Sequence, residues 1–505
     1  MNQHLPAIIV TVPLLSAFVI TAAGWLNKKL CFPIAVAALG VSLYSSISML
    51  ISVASGKIII YNLGGWAPPW GISYTVDPLN CLVLVAVASV AFINIIATKK
   101  NVEEEYPDKT GAFYTLYVLF ATGLIGIVIT GDAFNLYVLL EIASLTGYAL
   151  LGMGSRRAPL AGLNYIFLGT IGACFYLLGV GYLYIATGSL NMKDLSAILP
   201  AIYHSKTVLF AFIICLTGLF IKMALFPMHA WLPNAYTYAP SPATSLIAPL
   251  TTKVMVYAMI RITLDVFTPQ YSFGVIGISR SIVWIAVIAI IMGSFMALSQ
   301  RSLKKMLSYI IVAEVGYMVG GLWLGNRAGI TGSIIHIIND AAMTLCLFLA
   351  AGNIIYKIKT DSFDDFKGLL KKMPVTMGAF ILGGMSIIGV PPTCGFFSKW
   401  YLISGGLAAG HYAFVAALLF SSLVNVILFF RIIEIGFFEP FNEHLSGHHG
   451  EISDQIAGNR IIINEAPAGM VIPLVIVAGL LIFLGLMTGN IVTNIIQFAI
   501  PAGIS

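Results

Sequence analysis

The chain has 505 residues, of which 59% are hydrophobic and only 9% charged, with a formal net charge of +6 and a mean hydropathy of +0.96. That composition excludes a water-soluble enzyme. Apolar runs of about 20 residues, the length that carries a helix across a bilayer, recur at near-even spacing and are each too long for a barrel strand.

In chain order the predicted spans cover residues 8–26, 32–53, 79–98, 112–130, 133–153, 164–185, 207–226, 244–264, 281–298, 306–325, 330–355, 376–404, 412–435 and 470–487. The first has no basic flank before it and no small-residue cleavage pattern after it, so it reads as a retained span. The expected fold is an all-α membrane protein of about fourteen transmembrane helices. Four regions follow: 1–111, with three helices and an external loop; a five-helix block over 112–264; a second over 281–435; and 436–505, a cytoplasmic loop with the last helix. The blocks match in length, and because five is odd they must enter the membrane from opposite faces, the plan of an inverted repeat.

Assigned to alternate faces, most of the 26 Lys and Arg fall on one side, including Lys28, Lys29, Lys99, Lys100, Lys109, Arg156, Arg157, Arg301, Lys304, Lys305, Lys371, Lys372 and Arg460. Lys57, Lys193, Lys206, Arg261, Arg280 and Arg327 fall on the other. The positive-inside rule makes the first side cytoplasmic and puts both termini outside a cell membrane. Lys222, Lys253 and Lys399 belong to neither side because they lie within apolar runs. A charge near the bilayer centre costs about 2.5–3.5 kcal/mol even on the lenient insertion scale. Glu141, Glu314, His336 and Asp340 are also intramembrane, the last two one helical turn apart.

Two spans are predicted to be broken. The seventh reads Lys222-Met223-Ala224-Leu225-Phe226-Pro227-Met228-His229, and the twelfth reads Gly389-Val390-Pro391-Pro392-Thr393-Cys394-Gly395 ahead of Ser398 and Lys399. Proline removes a donor and frees a carbonyl one turn back, which is tolerated at membrane depth only beside protein or water. A discontinuous helix beside a buried charge, seen twice, points to transport. The six cysteines, Cys31, Cys81, Cys174, Cys215, Cys346 and Cys394, stand singly with no metal-ligand or redox spacing. No cofactor, metal or nucleic-acid partner is therefore expected, and any energy source must lie in another subunit.

Three motifs carry a family resemblance: Gly131-Asp132-Ala133-Phe134-Asn135-Leu136-Tyr137 leading to Glu141; Phe220 to Pro233 around Lys222, Pro227, His229 and Trp231; and Pro391-Pro392-Thr393-Cys394-Gly395 with Ser398-Lys399. With Leu63-Gly64-Gly65-Trp66 and Pro68-Pro69-Trp70-Gly71, they make the chain resemble the antiporter-like subunits of the Mrp and complex I superfamily. The likeness is nearest to the D-type Mrp subunit and its counterpart in membrane-bound hydrogenases. The resemblance implies fourteen helices, inverted five-helix repeats and a hydrated line of ionisable groups across the middle of the membrane. It places Glu141 as the fifth-helix glutamate, Lys222 as its seventh-helix partner, Lys253 on the eighth helix, His336 on the eleventh and Lys399 at the end of the line. It also implies other small hydrophobic membrane subunits as partners, and protons with Na⁺ as the ions moved. The chain departs from the pattern at Asp340 and Thr344, where many relatives carry histidine and lysine, and at Glu314, where a neutral polar residue is usual.

Each site has a plainer reading. Glu141 and Lys222 could be a buried pair that only locks two helices. His336 could cross-link helices by a hydrogen bond, while Asp340 and Glu314 could be counter-ions. His229, a further proton-path candidate, could instead cap carbonyls freed at Pro227. His444, His448 and His449 look like a metal tract only superficially, and Asp361, Asp364 and Asp365 sit in a solvated connector. The expected function is that of a proton-translocating, antiporter-like subunit of a cation/proton antiporter or a related ion-pumping respiratory complex. The alternative is an autonomous solute permease that binds substrate at the broken helices.

Overall fold

The computed structural model describes residues 2–154, 157–438, 463–501 and 503–504. Arg156, Arg460 and the histidines at 444, 448 and 449 lie outside the described residues. With no water in the hydrocarbon core, each run satisfies its backbone by coiling, and turn chemistry sets where each helix begins and stops.

The helices α1 (Leu5–Leu26) and α2 (Cys31–Val53) form a hairpin. The strands β1 (Ile59–Asn62) and β2 (Ser73–Val76) then pair antiparallel, Ile59 opposite Val76. This hairpin is the one departure among the described residues from the expected all-helical plan. A capping box between Asp77 and Asn80 opens α3 (Pro78–Ala97), which is followed by the short α4 (Lys99–Glu105). Between α5 (Thr110–Ile129) and α6 (Ala133–Gly152), Asp132 caps the new helix by accepting from the Asn135 amide at 2.7 Å. Gly188, at φ 72°, stops α7 (Ala158–Thr187), and a surface helix α8 (Met192–Ile198) follows.

The first predicted break separates α9 (Lys206–Lys222) from α10 (Trp231–Tyr238), and α11 (Ser241–Arg261) follows directly. Next come α12 (Ser279–Leu298), α13 (Leu303–Trp323), α14 (Arg327–Ile358) and the short α15 (Leu369–Lys372). The second break separates α16 (Pro374–Ile388) from α17 (Cys394–Ala408) at Gly389, whose φ of 93° no β-carbon favours. The chain closes with α18 (Tyr412–Phe438), α19 (Ala468–Ile491) and α20 (Gln497–Ala499). Among the described residues, twelve helices are long and apolar enough to cross a membrane. The expected span 207–226 is instead the shorter α9, which stops at Lys222, and the expected span 376–404 is the pair α16 and α17.

Hydrogen bonds sort the helix ends onto two faces. On one face Lys28 meets Asp108 at 3.2 Å, Arg157 reaches the Tyr238 hydroxyl at 3.3 Å, Lys304 reaches the Ala239 carbonyl at 2.8 Å and Lys357 reaches Asn464 at 2.8 Å. On the other, Asn191 donates to Ser73 at 2.8 Å, Tyr203 to the Phe267 carbonyl at 3.2 Å and Asn326 to the Gly405 carbonyl at 2.8 Å. Arg261 there clamps Asp77 and Asp265, tying the hairpin to the end of α11. The first group holds the lysine-rich loops and makes up the basic face.

Burial is uneven. The helices α11 and α14 are enclosed along their length and α13 nearly so, while α1, α2, α7 and α19 turn most of their surface outward. Leu15, Phe18, Phe167 and Phe483 are among the large apolar side chains on that outer surface. The enclosed helices carry Lys253, Glu314, His336 and Asp340, so the most expensive charges lie on the helices furthest from the outside.

Candidate functional site: a buried line of ionisable groups

Lys222 is the last residue of α9 and projects toward α6. Its ammonium lies 3.8 Å from Glu141 Oε1 and donates to Ser144 Oγ at 2.7 Å and to the Tyr148 hydroxyl at 3.3 Å. Glu141, Ser144 and Tyr148 are three and four residues apart, so one face of α6 supplies all three. Lys222 is 4% exposed and Glu141 24%, which places the carboxylate at the rim of the chain and the ammonium inside it. The break frees the Ile221 carbonyl, and Trp231 rather than a histidine takes it, Nε1 donating at 3.1 Å. His229 is buried against Phe226 and Tyr309, and its Nδ1 has no hydrogen-bond partner among the described residues.

Lys253 pairs with Asp340 at 2.9 Å, both fully enclosed. It also reaches Thr344 Oγ1 and the Ala248 carbonyl, each at 3.3 Å, while Thr344 donates to Asp340 Oδ1 at 2.7 Å. Asp340 and Thr344 are one turn apart on α14, and together they make the cradle of the lysine. Asp340 and Thr344 thus form a single feature, a carboxylate and a hydroxyl around Lys253.

The third departure belongs to the next group. Glu314 on α13 contacts His336 Nε2, and His336 Nδ1 lies 2.9 Å from Ser398 Oγ. Glu314, His336 and Asp340 each offer one polar atom within 4.8 Å of the others. These are metal-ligand types, but His336 is engaged by Glu314 and Ser398, and Asp340 by Lys253 and Thr344. Lys399 follows Ser398 and caps the second break: its ammonium donates to the Ile387 carbonyl at 2.6 Å and to Ser422 Oγ at 3.0 Å, 5.1 Å from the centre of the Tyr317 ring. Tyr317 also lies against His336, with ring centres 5.5 Å apart.

From Lys253 to Lys399 the polar groups are in contact or nearly so. From Lys222 to Lys253 they are not. Tyr148, Tyr165, Trp231 and Tyr236 pack ring against ring in succession, stacked only at Tyr165–Trp231, and the Tyr236, Thr251 and Thr252 hydroxyls are buried with no hydrogen-bond partner among the described residues. Buried hydroxyls left unpaired by protein are the usual hosts of ordered water. Sequence reasoning missed Ser144, Tyr148, Ser398 and Ser422 as partners. It also counted Lys304 among the loops, whereas Lys304 is enclosed near the start of α13.

The profile of the family described as "NADH:quinone oxidoreductase/Mrp antiporter, TM" matches residues 130–425, the stretch that holds every residue of this line. The chain belongs to that family. It is 41% identical to the NADH-quinone oxidoreductase subunit N of Desulforudis audaxviator, over 99% of each chain. It is 29% identical to the D-type subunit of the Na(+)/H(+) antiporter of Bacillus subtilis, over 87% of this chain and 88% of that one. Among solved structures, a chain of the archaeal membrane-bound sulfane sulfur reductase superposes with a TM-score of 0.86 at 29% identity, covering 98% of this chain and 97% of that one. The protein is thus a multi-pass, proton-translocating, antiporter-like subunit, and its relatives sit in multisubunit membrane complexes.

Proposed function

We propose that this antiporter-like subunit moves protons along the line Glu141–Lys222, Lys253–Asp340, Glu314–His336 and Lys399. The observation that carries the reading is the contact series on α11, α13, α14 and α17, which leaves no long dry gap between Lys253 and Lys399. An ammonium in low dielectric gives up its proton more readily, and a carboxylate in contact reverses that. Lys222 is held charged by Glu141; when that pair loosens, positive charge shifts toward Lys253, and His336 passes a proton on to Lys399, which releases it. The groups titrate as a coupled set rather than one by one.

In this reading 112–264 and 281–435 are the two inverted five-helix units, the broken pairs α9/α10 and α16/α17 each count as one crossing, and fourteen crossings place both termini outside the cell membrane. The basic face is cytoplasmic by its lysines. The partners are other small hydrophobic membrane subunits, with Na⁺ as the exchanged ion in an Mrp-type assembly and electron transfer elsewhere as the drive in a respiratory one. The exchanged Na⁺ is supported by the name of the Bacillus subtilis relative, the respiratory assembly by those of the quinone oxidoreductase and sulfane sulfur reductase relatives.

The test is transport by the whole complex in membrane vesicles bearing Glu141→Ala or Lys222→Ala. Each variant is expected to assemble and to lose coupled transport. Wild-type exchange in either would remove the pair from the mechanism.

A further inference from the structure

Lys222 and Lys253 each face a carboxylate, at 3.8 Å and 2.9 Å. Lys399 does not. Its polar contacts among the described residues are all neutral: the Ile387 and Ile388 carbonyls at 2.6 and 3.4 Å and Ser422 Oγ at 3.0 Å. Its ammonium also stands over the ring of Tyr317, 5.1 Å from the centre. The two acids closest along the line are committed elsewhere, Glu314 to His336 and Asp340 to Lys253.

Tyr317 is fully buried and stands three residues after Glu314, so the two share one face of α13. Its ring centre is 5.5 Å from that of His336, which puts the ring against both the imidazole and the ammonium of Lys399. The ring is pinned. Its hydroxyl donates to Ser421 Oγ at 2.6 Å, which also accepts from Ser294 Oγ at 2.8 Å, and the next residue, Ser422, accepts from Lys399. Consecutive serines of α18 thus fix ring and ammonium to one turn. At Lys222 the arrangement differs, because Tyr148 is met at its hydroxyl, 3.3 Å from the ammonium, with the Glu141 carboxylate alongside.

We propose that Tyr317 is a positioning residue for the last step of the line: its ring stands beside Lys399 in place of a carboxylate and holds the ammonium by its π face, while α18 holds the ring. An aromatic face attracts an ammonium through its quadrupole and has no comparable grip on the neutral amine. It differs from a carboxylate in one respect that decides its use here, since it cannot accept a proton. A proton that leaves Lys399 therefore has no contacting partner to recapture it, and the π face favours the next loading of the same group. The inference rests on the proton-line reading.

Ring fluorines drain the negative face of an aromatic while changing its size little, so they separate the electrostatic hold from packing. Proton transport by the whole complex in vesicles is compared for Tyr317→Phe and for the same substitution carrying one, two or three ring fluorines. Tyr317→Phe keeps the face but loses the tether to Ser421, and is expected to transport about threefold less than wild type. Each fluorine is expected to lower transport further, to roughly tenfold below Tyr317→Phe at three, and Tyr317→Leu, with no ring, to fall at least as far. The fluorine series decides even if Tyr317→Leu fails to assemble. A second measurement is melting of the solubilised complex, in which three fluorines are expected to lower the melting temperature when Lys399 is present and not in a Lys399→Met background, the coupling that a double-mutant cycle isolates. Transport that ignores the number of fluorines, a loss in Tyr317→Phe as deep as in Tyr317→Leu, or the same melting shift in both backgrounds overturns the role. If Lys222→Ala abolishes transport while fluorination leaves it unchanged, the role of Tyr317 alone is wrong. If Lys222→Ala also transports normally, the line itself is wrong.

Discussion

Asp340 is the residue on which the line turns, because it faces Lys253 at 2.9 Å with no solvent on either side. Removing one partner of such a pair strands a charge at a cost of about 3–5 kcal/mol, whereas replacing both by apolar groups is often neutral or stabilising. This separates a structural role from a transport role. Asp340→Asn alone is expected to leave Lys253 without its counter-charge in the core, and so to lower the melting temperature and abolish transport. The double variant Lys253→Met with Asp340→Leu should be at least as thermally stable as wild type, measured by melting of the solubilised complex, and equally inactive. A double variant that still translocates protons would show the pair to be a helix lock. The same logic fits the residue at 344: Thr344 donates to Asp340, and a lysine at that position would compete with Lys253 for the one carboxylate.

At the scale of elements, both breaks are held open by side chains that take the freed carbonyls, Trp231 at the first and Lys399 at the second. The breaks and the buried lysines were legible because proline and charge are conspicuous inside apolar runs. The α6 partners of Lys222 could also have been read, since Ser144 and Tyr148 repeat from Glu141 at helical spacing. Ser422 could not: it meets Lys399 only because α18 packs beside α17, and nothing local marks it. The hairpin of β1 and β2 was hidden for a related reason, its four-residue strands being too short to impose a period. Glycine placement makes the second break testable. A β-carbon at Gly395 would lie 1.8 Å from the Ser386 carbonyl oxygen, a backbone atom that cannot swing aside. Gly395→Ala is therefore expected to push α17 off α16 at a cost of about 1–3 kcal/mol, seen as a lower melting temperature together with reduced transport. An unchanged melting temperature would mean the two half-helices do not pack closely at Gly395.

At the scale of the molecule, charge is arranged in three zones: lysine-rich loops on one face, the Arg261 clamp and the hairpin on the other, and the ionisable line on the enclosed helices between. The outer apolar surface of α1, α2, α7 and α19 suits lipid or neighbouring subunits, and an exposed charge there would be costly. Glu141 is the partial exception, part-exposed on α6, so events beside the chain can reach the Glu141–Lys222 pair directly. Direction follows from orientation. If the basic face is cytoplasmic, a cavity lined by Lys304 opens to the cytoplasm and the hairpin faces outward. A reporter enzyme fused after Lys371, in the short α15 among the basic loops, is then expected to be active only inside the cell, and one inserted after Gly71, in the turn between β1 and β2, only outside. Both sites lie away from the buried line, so the fusions should report side without disturbing transport. The reverse pattern would turn the positive-inside assignment over and put the cavity lined by Lys304 on the outer side.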